Sequence, residues 1–137
     1  MFRGAAFAAA QVRRIFLRMT KAELFGFISG CKLAVLASVS PEGVPQSALV
    51  GIAVTEELEI VFDTLDTTRK FRNLTVNSKA SFVIGWFGEK TVQFEGEAFL
   101  PEGQEQEDLL WNLAGRVSAT EVAGNYLLCC SSAMDPV

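Results

Sequence analysis

Residues 67–70 place two hydroxyl groups and two cations side by side, directly after an apolar, β-branched run that ends near Asp63. The order of strand, short loop and amphipathic segment puts Arg69 and Lys70 in the first turn of a predicted helix. Basic residues are usually favoured at the opposite end, where the helix dipole is negative. Hydroxyls, free N–H groups and two cations suit a phosphate; the alternative is a solvated basic turn.

No side chain stands out as a general acid or base beside this predicted site. Asp63 is the nearest candidate, but a carboxylate would repel a phosphate, so we expect it to form a turn or cap. The chain contains no histidine, which removes a Ser-His-Asp triad, a histidine metal site and a proximal histidine to haem. We therefore predict neither a catalytic residue nor a metal site.

The composition predicts one well-buried domain in a reducing compartment. Half of the 137 residues are hydrophobic, which allows a real core, yet no apolar run approaches the ~20 residues of a membrane span. Three cysteines without C-x-x-C spacing do not form a disulfide framework. We therefore expect a cytoplasmic protein with no membrane partner.

Charge is distributed unevenly along the chain. Residues 1–18 hold four arginines and no acid, so all 16 acidic residues lie after them, and a body this acidic is a poor nucleic-acid binder. The first 18 residues are either a leader, which carries arginines as transit peptides do, or the result of a start codon assigned too far upstream. We favour Met19 as the working start, because Thr20 and Glu23 form a capping box that begins a helix unaided.

Periodicity and turn residues predict a mainly β domain with flanking helices (α+β) over residues 19–116. Strands in hairpin order indicate a five- or six-stranded antiparallel barrel with helices packed outside it. The predicted helices cover residues 20–30, 67–77 and 104–116. The predicted strands cover residues 33–40, 44–54, 58–64, 79–87 and 91–100. The expected core positions are Val35, Ala37, Val50, Ile52, Ile60, Phe62, Phe82, Ile84, Val92 and Phe94.

The order of these pieces resembles the FMN-binding split barrel of the pyridoxamine 5'-phosphate oxidase superfamily. The matching stretches are LAVLASVSPEGVPQSALVGIAV (33–54), LEIVFDTLDTTRKFRNLTVNSKASFVIGW (58–86) and TVQFEGEAF (91–99). The resemblance implies an antiparallel split β-barrel that forms a homodimer and holds FMN at the interface. Residues 117–137 do not match the aromatic, arginine-rich strand with which relatives usually end, so we treat them as a divergent tail.

The resemblance also implies which residues hold the flavin phosphate. Thr68, Arg69 and Lys70 match the phosphate-binding triplet. Asp63 and Thr64 match the end of the strand beside the ribityl phosphate. The implied function is that of a flavoprotein, with two alternatives: a deazaflavin-dependent reductase on the same barrel, or a non-catalytic flavin-binding or stress-response module.

The ring of the flavin is implied to lie on the second strand. Ala48, Leu49 and Val50 match the strand that presents backbone groups to the isoalloxazine ring. Thr91 takes the position of a glutamine that reaches the flavin from the second subunit. Pyridoxamine phosphate oxidases themselves carry an arginine and a lysine where this chain has Ala48 and Ala53. We therefore expect an FMN-dependent oxidoreductase that acts on another small substrate.

Overall fold

The computed structural model describes residues 19–114 and 126–132, which form three helices and one seven-stranded antiparallel sheet. No helix in this part of the chain is long and apolar enough to cross a membrane. The helices are α1 (Lys21–Ser29), α2 (Arg69–Val76) and α3 (Gly103–Ala114). The strands are β1 (Leu33–Val39), β2 (Pro45–Gly51), β3 (Ala53–Val54), β4 (Ile60–Thr64), β5 (Lys79–Ile84), β6 (Val92–Phe99) and β7 (Tyr126–Ser132).

The sheet closes into a barrel because its two edge strands are consecutive in the sequence. The strand order is β2-β1-β5-β6-β7-β4-β3, and only Ile52 separates β2 from β3. The Ile52 N–H donates to the Lys32 carbonyl oxygen at 2.9 Å and extends the pairing of β1 with β2 by one residue. The next residue, Ala53, begins β3 at the other edge of the sheet. The predicted strand 44–54 is therefore two strands, and the predicted antiparallel split barrel with flanking helices is confirmed.

The barrel interior is filled by aromatic and branched side chains. Phe82 packs edge-on against Phe62 and Phe94, with ring centroids 5.8 and 5.9 Å apart, an arrangement that aromatic pairs favour. Eight of the ten predicted core positions are buried. Those eight are Val50, Ile52, Ile60, Phe62, Phe82, Ile84, Val92 and Phe94.

The other two predicted core positions, Val35 and Ala37, were assigned to the wrong face of β1. They are only half-buried, whereas Ala34 and Leu36 are almost fully buried. Successive side chains of a strand point to opposite faces, and both faces of Leu33–Val39 are largely apolar. Alternation could therefore not show which face turns inward.

Two strands are shorter than predicted because a residue with positive φ limits each of them: one strand begins later and the other ends earlier. Leu58 has a φ of 63° and its N–H donates to the Thr55 carbonyl oxygen at 2.9 Å, so residues 58 and 59 belong to the turn before β4. Gly85 has a φ of 74° and ends the predicted strand 79–87 at Ile84. A Cβ at Gly85 would lie 2.7 Å from Cζ of Phe27, so this glycine lets α1 pack close to the sheet.

The last strand was not predicted. β7 lies between β6 and β4 and pairs with both of them. The barrel thus has seven strands where five or six were expected. The segment 117–137, interpreted as a divergent tail, contains this strand. The leader 1–18 and the last two residues of the predicted helix 104–116 lie outside the described residues.

Candidate functional site

The start of α2 is shaped by two threonines. Thr68 is the N-cap, and its Oγ1 accepts a hydrogen bond from the Phe71 N–H at 3.3 Å. The same Oγ1 lies 2.8 Å from Oγ1 of buried Thr64 at the end of β4, and it donates to the Leu65 carbonyl oxygen at 2.9 Å. These contacts tie the first turn of the helix to the strand before it.

The first turn of α2 carries two cations and no acidic residue. Arg69 is exposed and Lys70 is half-buried. Neither takes part in a salt bridge within the described residues, where Lys21 and Glu57 form the one such pair. Uncompensated cations beside the free N–H groups and the positive end of the helix dipole favour an anion at this point.

A groove of about 210 Å³ opens between this helix start and the sheet. The backbone pairing of β1 with β2 sets Ser38 opposite Gln46, and the pairing brings both residues to the wall of the groove. The lining residues are Ser38, Gln46, Ser47, Ala48, Thr68, Arg69 and Lys70.

A buried amide braces the helix against the groove wall. Asn73 is 2% exposed, and its Nδ2 donates to Oγ of Ser38 at 3.1 Å and to Oε1 of Gln46 at 2.9 Å. Asn73 follows Arg69 by four residues and therefore shares its face of the helix. The position of the cations relative to β1 and β2 is thus fixed by hydrogen bonds as well as by packing.

A larger hollow of about 440 Å³ lies elsewhere, over the outer face of β1, β5 and β6. Its charged residues are Lys79, Glu95 and Glu97, so carboxylates outnumber the ammonium group. An anion is disfavoured there. The smaller groove at the start of α2 is therefore the candidate site.

The structure brings together four of the predicted site residues at this groove. Ala48, Thr68, Arg69 and Lys70 line it. Thr64 is joined to the groove through its contact with Thr68.

The remaining predicted residues lie around the groove or away from it. Asp63 is half-buried near the end of β4. Leu49 faces outward and is 61% exposed, whereas its neighbour Val50 is in the core. Thr91 precedes β6 on the far side of β1 and β5, and its Oγ1 donates to the Gly85 carbonyl oxygen at 2.7 Å. A contact of Thr91 with a ligand from a second subunit stays a prediction.

Sequence reasoning missed Ser38, Gln46 and Ser47. They enter the site through the pairing of β1 with β2 and the return of α2 over both strands, and neither contact is local in sequence. One signal in the sequence could have indicated a polar contact at this point. Asn73 is a polar residue four positions after Arg69, and it is buried beside Leu74 on the same helix.

An antiparallel split barrel with a groove beside a basic helix start defines the structural class of this protein. Residues 20–126 match the family model described as pyridoxamine 5'-phosphate oxidase. This match covers most of the chain, and the protein belongs to that family. No curated protein sequence matches the chain significantly.

Solved structures with the same fold come from several bacteria. A haem-binding protein from Mycobacterium smegmatis has a TM-score of 0.72 at 21% identity, over 84% of this chain and 52% of the other. The haem storage protein HutZ from Vibrio cholerae has a TM-score of 0.70 at 17% identity, over 83% and 90%. General Stress Protein 26 from Bacillus anthracis has a TM-score of 0.65 at 20% identity, over 82% and 88%.

These likenesses establish the fold alone, because all three identities are low. The chain spans about half the length of the mycobacterial haem-binding protein. The ligand of each of these proteins therefore does not establish the ligand of this chain.

Proposed function

We propose that this protein binds FMN, with the phosphate at the start of α2 and the ring toward β2. The observation that carries the proposal is the pair of uncompensated cations, Arg69 and Lys70, in a groove that also offers hydroxyl and amide groups. Membership of the pyridoxamine 5'-phosphate oxidase family supports a small-molecule cofactor.

The donor set of the groove fits a phosphomonoester. A phosphate has only acceptor oxygens at its charged end, and Arg69, Lys70 and the free N–H groups of the first helical turn are all donors. Beside them, Ala48 offers a small side chain on β2, which leaves room for a flat ring against the strand. Bound flavin would supply the redox chemistry. The role of the chain is to bind and orient the flavin and to shield it from water.

We include a homodimer in the proposal, because the groove of one chain is small. Ligand pockets usually exceed about 300 Å³, whereas this groove has about 210 Å³. The outer face of the sheet beside it is apolar: Val35 pairs with Leu49 on one side and Val83 on the other, and the latter two are 61% and 38% exposed. A second copy on this face would cover it and close the site.

The activity we propose is that of an FMN-dependent oxidoreductase in the cytoplasm, with a small substrate. A deazaflavin-dependent reductase and a non-catalytic flavin-binding or stress-response module remain the alternatives. The stress protein with the same fold is consistent with the last of these. Haem is a further candidate ligand because two of the similar structures are haem proteins, but this chain has no histidine to serve as axial ligand.

The test is a comparison of ligands on the purified protein. Any ligand that copurifies is identified by absorbance and mass spectrometry, and the ligand-free protein is then titrated with FMN, riboflavin, a deazaflavin cofactor and haemin. We expect FMN to bind most tightly. Tighter binding of haemin or of the deazaflavin would overturn the proposal.

The single variants of the two cations sharpen this test. Arg69 can offer two parallel donors and Lys70 only a point charge, so Arg69→Ala should weaken FMN binding more than Lys70→Ala. Arg72→Ala, at an exposed position on the same helix, is the matched control and should bind FMN as the native protein does. Equal losses in all three variants would indicate a diffuse charge effect rather than a phosphate contact.

A further inference from the structure

The Gln46 side chain is held by its oxygen. Its Oε1 accepts from Nδ2 of Asn73 at 2.9 Å, and the second N–H of Asn73 is used by Ser38. A carboxamide has one acceptor oxygen and one NH₂ group with two donors. Since the oxygen of Gln46 faces Asn73, its NH₂ group is left for other partners.

The NH₂ group of Gln46 has no hydrogen-bond partner within the described part of the chain, and the side chain is half-buried in the wall of the groove. With Nδ2 of Asn73 donating to both Ser38 and Gln46, the opposite orientation of the Gln46 amide would place its NH₂ group against that of Asn73, donor against donor. Asn73 therefore sets which end of the Gln46 amide remains available beside Arg69 and Lys70.

We propose that Gln46 is a specificity-determining residue of the groove and that Asn73 positions it, so that Nε2 of Gln46 donates to an oxygen of the bound phosphate. This inference rests on the proposed function and extends it. Hydrogen bonds to an ionised acceptor are roughly twice as strong as neutral ones. The contact thus favours a ligand that ends in phosphate over the same ligand that ends in a hydroxyl group.

The first experiment replaces Gln46 and measures FMN and riboflavin affinities by isothermal titration calorimetry. Gln46→Glu keeps the acceptor for Asn73 but turns the donor into a negative charge, and it should weaken FMN binding by more than tenfold. Gln46→Met removes the donor without adding charge and should weaken FMN binding by about tenfold or less. Riboflavin affinity should change by less than about twofold in both variants.

The matched control is Gln106→Glu, which makes the same chemical change at an exposed position on α3. This variant should bind FMN as the native protein does. Native FMN affinity in Gln46→Glu would overturn the proposal, and so would equal losses of FMN and riboflavin, because the residue would then act on the fold or on the ring.

The second experiment tests the positioning role of Asn73 with a double-mutant cycle. In Asn73→Asp the carboxylate can only accept, so Gln46 must present its NH₂ group to residue 73 and its oxygen to the groove. Asn73→Asp should therefore reduce the ratio of FMN to riboflavin affinity more in native protein than in Gln46→Met. If the affinity ratio falls equally in the two backgrounds, the substitution acts through the added charge alone, and the positioning role of Asn73 is contradicted.

The outcomes separate this inference from the proposed function. If Arg69→Ala weakens FMN binding and the Gln46 variants do not, the phosphate site stands and the role of Gln46 is wrong. If native protein does not prefer FMN to riboflavin, the proposed function itself fails. Should Asn73→Asp not fold, Gln46→Glu and Gln46→Met still decide the inference, because Gln46 is only half-buried.

Discussion

Two helices of this protein begin with the same cap and differ in what neutralises the first turn. α1 and α2 both start after a threonine whose Oγ1 accepts from the backbone N–H three residues later. In α1 that third residue is Glu23, whose carboxylate accepts from the Thr20 N–H at 2.8 Å and completes a capping box. In α2 the third residue is Phe71, and the first turn carries Arg69 and Lys70.

The difference separates a helix start whose positive end meets an acidic side chain of the chain itself from one at which we propose that a ligand supplies the anion. The carboxylate of Glu23 is an internal anion at the positive end of α1. At α2 the cations add to the positive end of the dipole, which is a local cost unless an anion binds. The cap is therefore a structural feature in both helices, and the missing carboxylate at α2 is the feature on which our proposal of a phosphate site rests.

The largest expected effect comes from giving α2 its own anion. Lys70→Glu removes a favourable contact with the phosphate and adds a repulsive one, so FMN affinity should fall roughly a hundredfold. The same change should stabilise the ligand-free protein by about 0.3–1 kcal/mol, because an acidic residue suits the first turn. Calorimetry and thermal unfolding measure the two effects, and a destabilised ligand-free variant would contradict this comparison.

A second prediction tests whether the groove is completed by another copy of the chain. Leu49→Lys places a charge on the apolar outer face and should yield monomers that bind FMN at least tenfold more weakly, as analytical ultracentrifugation and titration would show. Leu49 is 61% exposed, so the barrel itself should remain folded. Val76→Lys, at a position 66% exposed on α2, is the matched control. A native protein that is monomeric and retains FMN would disprove the role of the dimer.

A third prediction separates capping from binding. Thr20→Ala and Thr68→Ala each remove a side-chain acceptor at an N-cap, and each should lower the free energy of unfolding by about 1 kcal/mol. Only Thr68→Ala should also weaken FMN binding, by a few fold, because only Thr68 lines the groove. Chemical denaturation and titration distinguish the two, and weaker FMN binding in Thr20→Ala would contradict the distinction.

The smallest expected effect concerns the thermal stability of the protein at acidic pH. Hydrogen bonds from the backbone and side chain of Thr20 lower the pKa of Glu23 below its ordinary value of 4.5. A depressed pKa stabilises the folded state fully above the ordinary value, and this stabilisation is lost as pH falls through the lowered pKa. In Glu23→Gln, which keeps an acceptor that does not titrate, thermal stability should fall less steeply below pH 4.5. A curve identical to that of the native protein would show that Glu23 does not contribute.

Local signals predicted the features that depend on neighbouring residues. The capping box at Thr20 and the N-terminal position of Arg69 and Lys70 are both set by a few adjacent residues. These signals located the start of the first helix and three residues of the groove, Thr68, Arg69 and Lys70.

Features that depend on distant pairing could not be predicted in the same way. Val35 and Ala37 were assigned to the core because β1 is apolar on both faces, and only the closed barrel decides which face is inside. β7 is placed by β4 and β6, which lie far from it in sequence. Gln46 lies in the groove because β2 pairs with β1, and it contacts Asn73, which is 27 residues later in the chain.

The central claim is that the start of α2 binds the phosphate of FMN, and calorimetric titration of the double variant Arg69→Ala/Lys70→Ala tests it most directly. The native protein should bind FMN at least tenfold more tightly than riboflavin. In the double variant FMN affinity should fall at least tenfold, to that of riboflavin, while riboflavin affinity stays nearly unchanged. FMN binding that survives both substitutions, or equal losses for both ligands, would show that this helix start is only a solvated basic turn.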